Sequence, residues 1–226
     1  MLLVIEQLLP PTALAQVRAL LAPARWHDGR ETAGYTAAAL KSNEQLRADD
    51  PAALQAGQLV LGALAAHPRF ISFALPLKIL PPMFNRYAGG GAYGFHIDNA
   101  IRTDSASGQR IRTDLSTTVF LSDPQDYDGG ELIIEDTYGQ HPIKLPAGHA
   151  VVYPGTSVHR VSPVTRGQRL AAFFWTQSLV PHDSQRALLF DLDTTIQRLA
   201  QRPGNAEDVT RLSGTYHNLL RHWAQT

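Results

Sequence analysis

Hydrophobic residues recur along this chain with two different periods, and the change of period divides it into three parts. Leu2 to Ile5 is an apolar run that predicts a short strand ending before Pro10-Pro11. Pro11 suits the opening of a helix, because the N–H it lacks has no intrahelical acceptor there. Leu14, Val17, Leu20 and Leu21 follow at helical spacing, and Pro23 stops the run. Residues 24–50 carry polar and Gly-containing loop signals, with Trp26 as an apolar anchor. A second helix is predicted from about Pro51 to Ala66, with Leu54, Leu61 and Leu64 as its stripe and Pro68 beyond its end.

From about Phe70 the period shortens to that of strands. Segments near 71–75, 77–87, 93–101, 113–122, 130–136, 141–145, 149–153, 158–164 and 168–180 read as extended. Pro81-Pro82, Gly89-Gly90-Gly91, Asp128-Gly129-Gly130, Pro146-Ala147-Gly148, Pro154-Gly155 and Arg166-Gly167 separate them. These residues turn the chain because Gly supplies positive φ and Pro fixes φ. About eight short strands at this spacing predict a sandwich or barrel, not a βαβ sheet. After Val180-Pro181 the helical period returns in Leu188, Leu189, Leu192, Ile196 and Leu199. Pro203-Gly204-Asn205 interrupts it, and Val209, Leu212, Tyr216, Leu219, Leu220 and Trp223 resume it. The expected organisation is mainly β with flanking helices: a helical N-terminal region over 1–77, a β domain over 78–178, and a helical tail over 179–226. The amphipathic tail must cover either this β domain or a second subunit.

Composition narrows the chemistry. Lys+Arg and Asp+Glu balance to a formal net charge of +0, which argues against broad binding to nucleic acid or to an anionic membrane. Charged residues are 18%, below the usual ~25%. Some surface is therefore expected to be covered, and a homo-oligomer through the helical regions is the expectation. With no cysteine, disulfides, thiolate zinc sites and Cys nucleophiles are excluded, so His, Asp or Glu must hold any metal. Met1 to Glu6 lacks a basic n-region and a small-residue cleavage site, and no run approaches the ~18 apolar residues of a membrane span. A cytoplasmic protein is expected.

The chemistry concentrates around Gly94-Phe95-His96-Ile97-Asp98-Asn99. In a strand, residues i and i+2 share a face, so His96 and Asp98 aim at one point. Alone, His-x-Asp is a weak signal that also arises at ordinary strand ends. His159, on a late strand, supplies the third ligand of a two-His-one-carboxylate set, the donor set of non-haem Fe(II) sites with open coordination positions. Arg169 begins the apolar strand Arg169 to Trp175. An arginine there is costly to bury unless paired, and its planar fork suits a carboxylate. Phe173 and Trp175 share its alternation and would line the same cavity. Tyr93, Asn99, Arg102 and Trp175 are substrate-pocket candidates. Each also has an ordinary structural explanation as a cap, a core aromatic or a solvated charge. The polar stretch 100–112 is read as a loop over the site mouth.

These motifs carry a resemblance. Tyr87 to Asn99 with its glycine-rich loop, then Asp128-Gly129-Gly130-Glu131-Leu132, then His159-Arg160-Val161 and Arg169, resemble the prolyl-4-hydroxylase branch of the Fe(II)/2-oxoglutarate dioxygenases. The whole chain, tail included, is most similar to bacterial PKHD-type hydroxylases. The resemblance implies a double-stranded β-helix (jelly-roll) core. It implies Fe(II) held by His96, Asp98 and His159, and 2-oxoglutarate bound by Arg169 and Tyr87. Ascorbate would serve as reductant. The implied reaction hydroxylates a small-molecule or peptidyl substrate with dioxygen, while 2-oxoglutarate is decarboxylated to succinate and CO2. Two other readings stay open here. One is a non-redox, metal-dependent cupin-like enzyme, a class that usually carries more His and a Glu and has no need of Arg169. The other is a metal-stabilised binding module, which needs no open coordination position.

Overall fold

The computed structural model describes residues 1–32, 38–104 and 107–226. Along the chain run β1 (Leu3–Ile5), α1 (Pro11–Leu21), β2 (His27–Asp28), β3 (Lys41–Ser42), β4 (Glu44–Gln45), α2 (Pro51–Ala65) and α3 (Pro68–Ala74). Then come β5 (Pro76–Ile79), β6 (Met83–Ala88), β7 (Ala92–His96), β8 (Ile101–Thr103), β9 (Arg110–Arg112), β10 (Leu115–Phe120), β11 (Tyr127–Gly129), β12 (Leu132–Asp136) and β13 (Gly139–Ile143). β14 (Ala150–Pro154), β15 (Val158–Val161), β16 (Val164–Ser178), α4 (Asp183–Ala200) and α5 (Ala206–Trp223) complete it.

Apart from β8 and β9, which pair with each other, the strands form two facing antiparallel sheets, as in a jelly roll. The large one has the order β1-β14-β10-β16-β6-β4-β2, with β5 and β11 also pairing with β16. The small one runs β13-β12-β15-β7-β3. Alternation along each strand of the large sheet separates two interiors. Phe84, Val119, Val152, Ala172 and Phe174 point outward and pack under Val17, Leu21, Val60, Leu64 and Phe70 of the N-terminal helices. Tyr87, Phe120, Val151 and Tyr153 point inward, toward Leu132, Ile134 and Val161 of the small sheet. The helices thus seal one face of the large sheet and leave the other to line the site.

Several boundaries differ from the sequence reading, each for a local reason. The segment 71–75 is helical. Pro68 opens α3 at its first position, the His67 Nδ1 accepts from the Phe70 N–H, and Leu75 ends the helix in the left-handed region at φ 42°. The segment 77–87 splits into β5 and β6 at Pro81-Pro82, which cannot donate to a ladder. The third predicted strand stops at His96, not at 101. The last strand begins at Val164 and passes through Gly167, which is no turn. A Cβ at Gly167 would lie 1.9 Å from the Asp126 carbonyl oxygen, so glycine admits the neighbouring backbone. Residues 24–50 contain three two-residue strands that extend both sheets, with residues 33–37 outside the described set.

The tail packs on this chain. Leu75, Val180 and Leu189 form a buried cluster, against which Tyr216, Leu219, Leu220 and Trp223 of α5 are laid. Phe190 of α4 meets Phe73 of α3 edge to face at 5.3 Å. No helix among the described residues is long and apolar enough to cross a membrane.

Candidate metal centre

β7 and β15 bring the two histidines together. They are register partners, His159 opposite His96, but Val161 lies opposite Tyr93. Two steps on β15 therefore match three on β7, which is a β-bulge at Gly94 and Phe95. The bulge resets the alternation, so Tyr93 and His96 both reach the cavity between the sheets. Their rings stack at 3.6 Å. Phe95 faces out, beneath the Arg160 guanidinium at 4.7 Å. Asp98 lies past the end of the strand, so strand alternation does not place it beside His96. The chain turns after His96, and the loop returns the carboxylate.

The possible ligand atoms of His96, Asp98 and His159 all lie within 4.8 Å of one another. The His159 Nε2 is 3.9 Å from an Asp98 carboxylate oxygen. Both imidazoles are oriented alike. The His96 Nδ1 donates to the Gly94 carbonyl at 2.8 Å, and the His159 Nδ1 donates to the Ser157 carbonyl at 3.0 Å. A carbonyl only accepts, so each Nδ1 carries a proton, which in the neutral tautomer leaves the lone pair on Nε2. Burial, then the neighbouring His159, pushes the His96 pKa down to about 4, which favours the neutral ligand form. The Asp98 Oδ2 is buried and has no hydrogen-bond donor among the described residues. An ionised oxygen in that position is costly unless a cation meets it. Fe(II) fits this donor set: two imidazoles and one carboxylate converging at one end of a cavity.

The opposite wall belongs to the large sheet. Arg169 on β16 stands opposite Tyr87 on β6 in register. Its guanidinium lies 5.4 Å from the Tyr87 ring centroid and 5.3 Å from that of Phe120. Arg169 is 1% exposed, and among the described residues it forms no ion pair. Gly130 makes room for it, since a Cβ there would sit 3.1 Å from the Arg169 Cδ. Phe173 and Trp175 line the same cavity, as the alternation predicts. Tyr87, Tyr93, Asn99 and Arg102 line it too.

The stretch 100–112 is not a plain loop. β8 and β9 pair as a ribbon at the cavity edge, with residues 105–106 outside the described set. Sequence reasoning missed Lys41, Gln45, Asn85 and Tyr153, which also line the cavity. Strand alternation with Tyr87 points to Asn85. Lys41 sits in a segment read as loop, and only its pairing with Tyr93 across β3 and β7 brings it to the site.

Comparison with known proteins bears on this geometry. Residues 82–177 match the 2OG-Fe(II) oxygenase superfamily, and residues 183–225 match the PKHD-type hydroxylase C-terminal domain. Over 225 residues the chain is 56% identical to PKHD-type hydroxylase PSPA7_5129 of Pseudomonas paraeruginosa, covering 100% of both chains. It is 55% identical, at the same coverage, to PKHD-type hydroxylase PiuC of Pseudomonas aeruginosa PAO1. The chain belongs to the PKHD-type hydroxylases. It is therefore a 2OG-Fe(II) oxygenase with its His-x-Asp…His set in place, and the non-redox and binding-module readings fall away. The fold agrees with that membership. A Pseudomonas putida prolyl-4-hydroxylase superposes with a TM-score of 0.53 at 22% identity, covering 78% of this chain and 92% of that one. HygX from Streptomyces hygroscopicus, solved with nickel and 2-oxoglutarate bound, gives 0.53 at 15% identity, covering 79% and 84%. Among PKHD-type hydroxylases, then, this chain has a jelly-roll core, helices sealing one sheet, and a two-helix tail.

Proposed function

We propose that His96, Asp98 and His159 hold Fe(II), that Arg169 and Tyr87 receive 2-oxoglutarate, and that the enzyme hydroxylates a substrate seated beside Tyr93, Asn99, Arg102 and Trp175. The observation that carries this reading is Arg169, a buried cation without a protein carboxylate, facing a compact donor set across one cavity. A buried guanidinium is costly unless an anion meets it, and its fork matches a carboxylate bidentately. The distal carboxylate of 2-oxoglutarate is that anion.

Iron with bound 2-oxoglutarate and dioxygen supplies the oxidising chemistry, with succinate and CO2 as co-products. The chain's own residues position and shield. The Gly94 and Ser157 carbonyls hold the two imidazoles with Nε2 toward the metal. Arg169 would hold the far carboxylate of the co-substrate and so set which way round it lies in the cavity. Phe173 and Trp175 narrow the cavity and exclude water. Ascorbate, as a reductant keeping the iron ferrous, and a cytoplasmic setting complete the proposal. Incubation with Fe(II), 2-oxoglutarate and ascorbate should release succinate slowly without a prime substrate. His96→Ala and Asp98→Ala should abolish that release. Succinate formation that persists in both variants would remove these residues from the metal role.

A further inference from the structure

The cavity wall nearest β8 carries hydrogen-bond donors that the iron and the co-substrate leave unused. Arg102 on β8 lays its guanidinium over the Trp175 ring, 4.0 Å from the centroid. Its register partner on β9 is Ile111, which is 4% exposed and packs into a cluster with Trp175, Leu80, Met83 and Phe173. One face of the ribbon thus does two things at the same level: Ile111 anchors it, and Arg102 is held over the indole. A guanidinium held against an aromatic face keeps its N–H donors for hydrogen bonding.

Trp175 adds a second donor. It is 5% exposed, lines the cavity, and its Nε1–H is buried without an acceptor among the described residues. A buried indole N–H normally finds a partner. Arg102 forms no ion pair among the described residues. Burial disfavours its charge, and the carboxylate that supports that charge is Asp98. Lys41 adds positive potential on the same side, with its Nζ 5.3 Å from the Tyr93 ring centroid.

Resting on the iron and 2-oxoglutarate reading above, we propose that Arg102 and the Trp175 Nε1–H form an oxyanion subsite, and that the prime substrate carries a carboxylate or phosphate group bound there. With Asp98 engaged by the metal, Arg102 needs a new counter-charge, and the substrate brings it. A cationic donor beside a neutral one favours an anion over a neutral amide. This subsite is separate from Arg169, which lies further along β16 and is taken by 2-oxoglutarate. The anion would tether one end of the substrate while its reacting C–H faces the iron.

The test uses Fe(II)-loaded protein under argon, first saturated with 2-oxoglutarate, then titrated with benzoate, phenyl phosphate or benzamide. Binding is read by calorimetry, which serves the wild type and both variants alike. Wild type should bind one of the anions at least about tenfold more tightly than benzamide, the range of a charged hydrogen bond. Arg102→Gln should erase that preference. Trp175→Phe, which keeps the ring and loses the N–H, should weaken it. Which anion binds better distinguishes a carboxylate substrate from a phosphorylated one. Equal binding of all three probes, or a preference that survives Arg102→Gln, overturns the subsite and leaves the iron reading intact. Failure of 2-oxoglutarate to bind in the first titration overturns both.

Discussion

His96 is prepared as a ligand by its surroundings. Burial and the adjacent His159 lower its pKa, and the Gly94 carbonyl fixes the proton on Nδ1. Nitrogen-detected NMR of the metal-free protein at pH 5.5 should find His96 neutral with the proton on Nδ1. A His96 titrating near pH 6.5 would contradict this. The sign for stability follows. The folded state resists protonation while the unfolded state does not, so this residue costs stability as pH falls from about 6.5 toward 4. At this scale the sequence was informative. His96, Asp98, His159 and Arg169 are polar residues in apolar or glycine-rich settings, and their types restrict the chemistry. What it could not contain was Lys41 at the same cavity, because its placement depends on the pairing of β3 with β7, whereas Asn85 follows from alternation with Tyr87.

At the scale of elements, the site depends on irregularities within regular strands. The bulge in β7 turns Tyr93 and His96 to one side, which simple alternation would set on opposite faces. Gly130, at φ 67°, holds a backbone conformation that side chains rarely adopt, and a Cβ there would also press on Val164 at 2.8 Å and Tyr127 at 2.9 Å. Gly130→Ala should cost about 1–3 kcal/mol by chemical denaturation and weaken 2-oxoglutarate binding, because Arg169 must shift. A variant with wild-type stability and affinity would remove Gly130 from this role. Strand existence was legible from period and turn residues, whereas these devices were not. A bulge shifts the register by one residue without changing composition, and Gly129-Gly130 reads as an ordinary turn. The helical assignment of α3 was lost for a related reason: over seven residues, period 2 and period 3.6 are hard to tell apart.

For the whole molecule, the order of the layers places the site. The N-terminal helices take the outer face of the large sheet, so its inner face is left to line the cavity in which we propose that iron, co-substrate and substrate meet. The tail joins through Leu75, Val180 and Leu189, which ties β16 to α3 and α4. Leu189 is fully buried, while Leu188 is 59% exposed. Leu189→Ala should destabilise the folded protein by about 2–5 kcal/mol, with a single unfolding transition, and Leu188→Ala by less than about 0.5 kcal/mol. Equal effects would show that the tail is not docked through this cluster. The helical tail was evident from its stripes, but the surface it covers was not, since amphipathicity names a buried face and not its partner.

The central claim, that one cavity joins an iron site to a 2-oxoglutarate site, is tested most directly by titration under argon. 2-Oxoglutarate added to the Fe(II)-loaded protein should give a visible absorption band that saturates with the co-substrate. The band should be absent in His159→Ala. In Arg169→Ala it should need far more 2-oxoglutarate, a loss of about 2–5 kcal/mol if the buried charge pair is broken. No band in the wild type, or an unchanged titration in Arg169→Ala, would contradict the account.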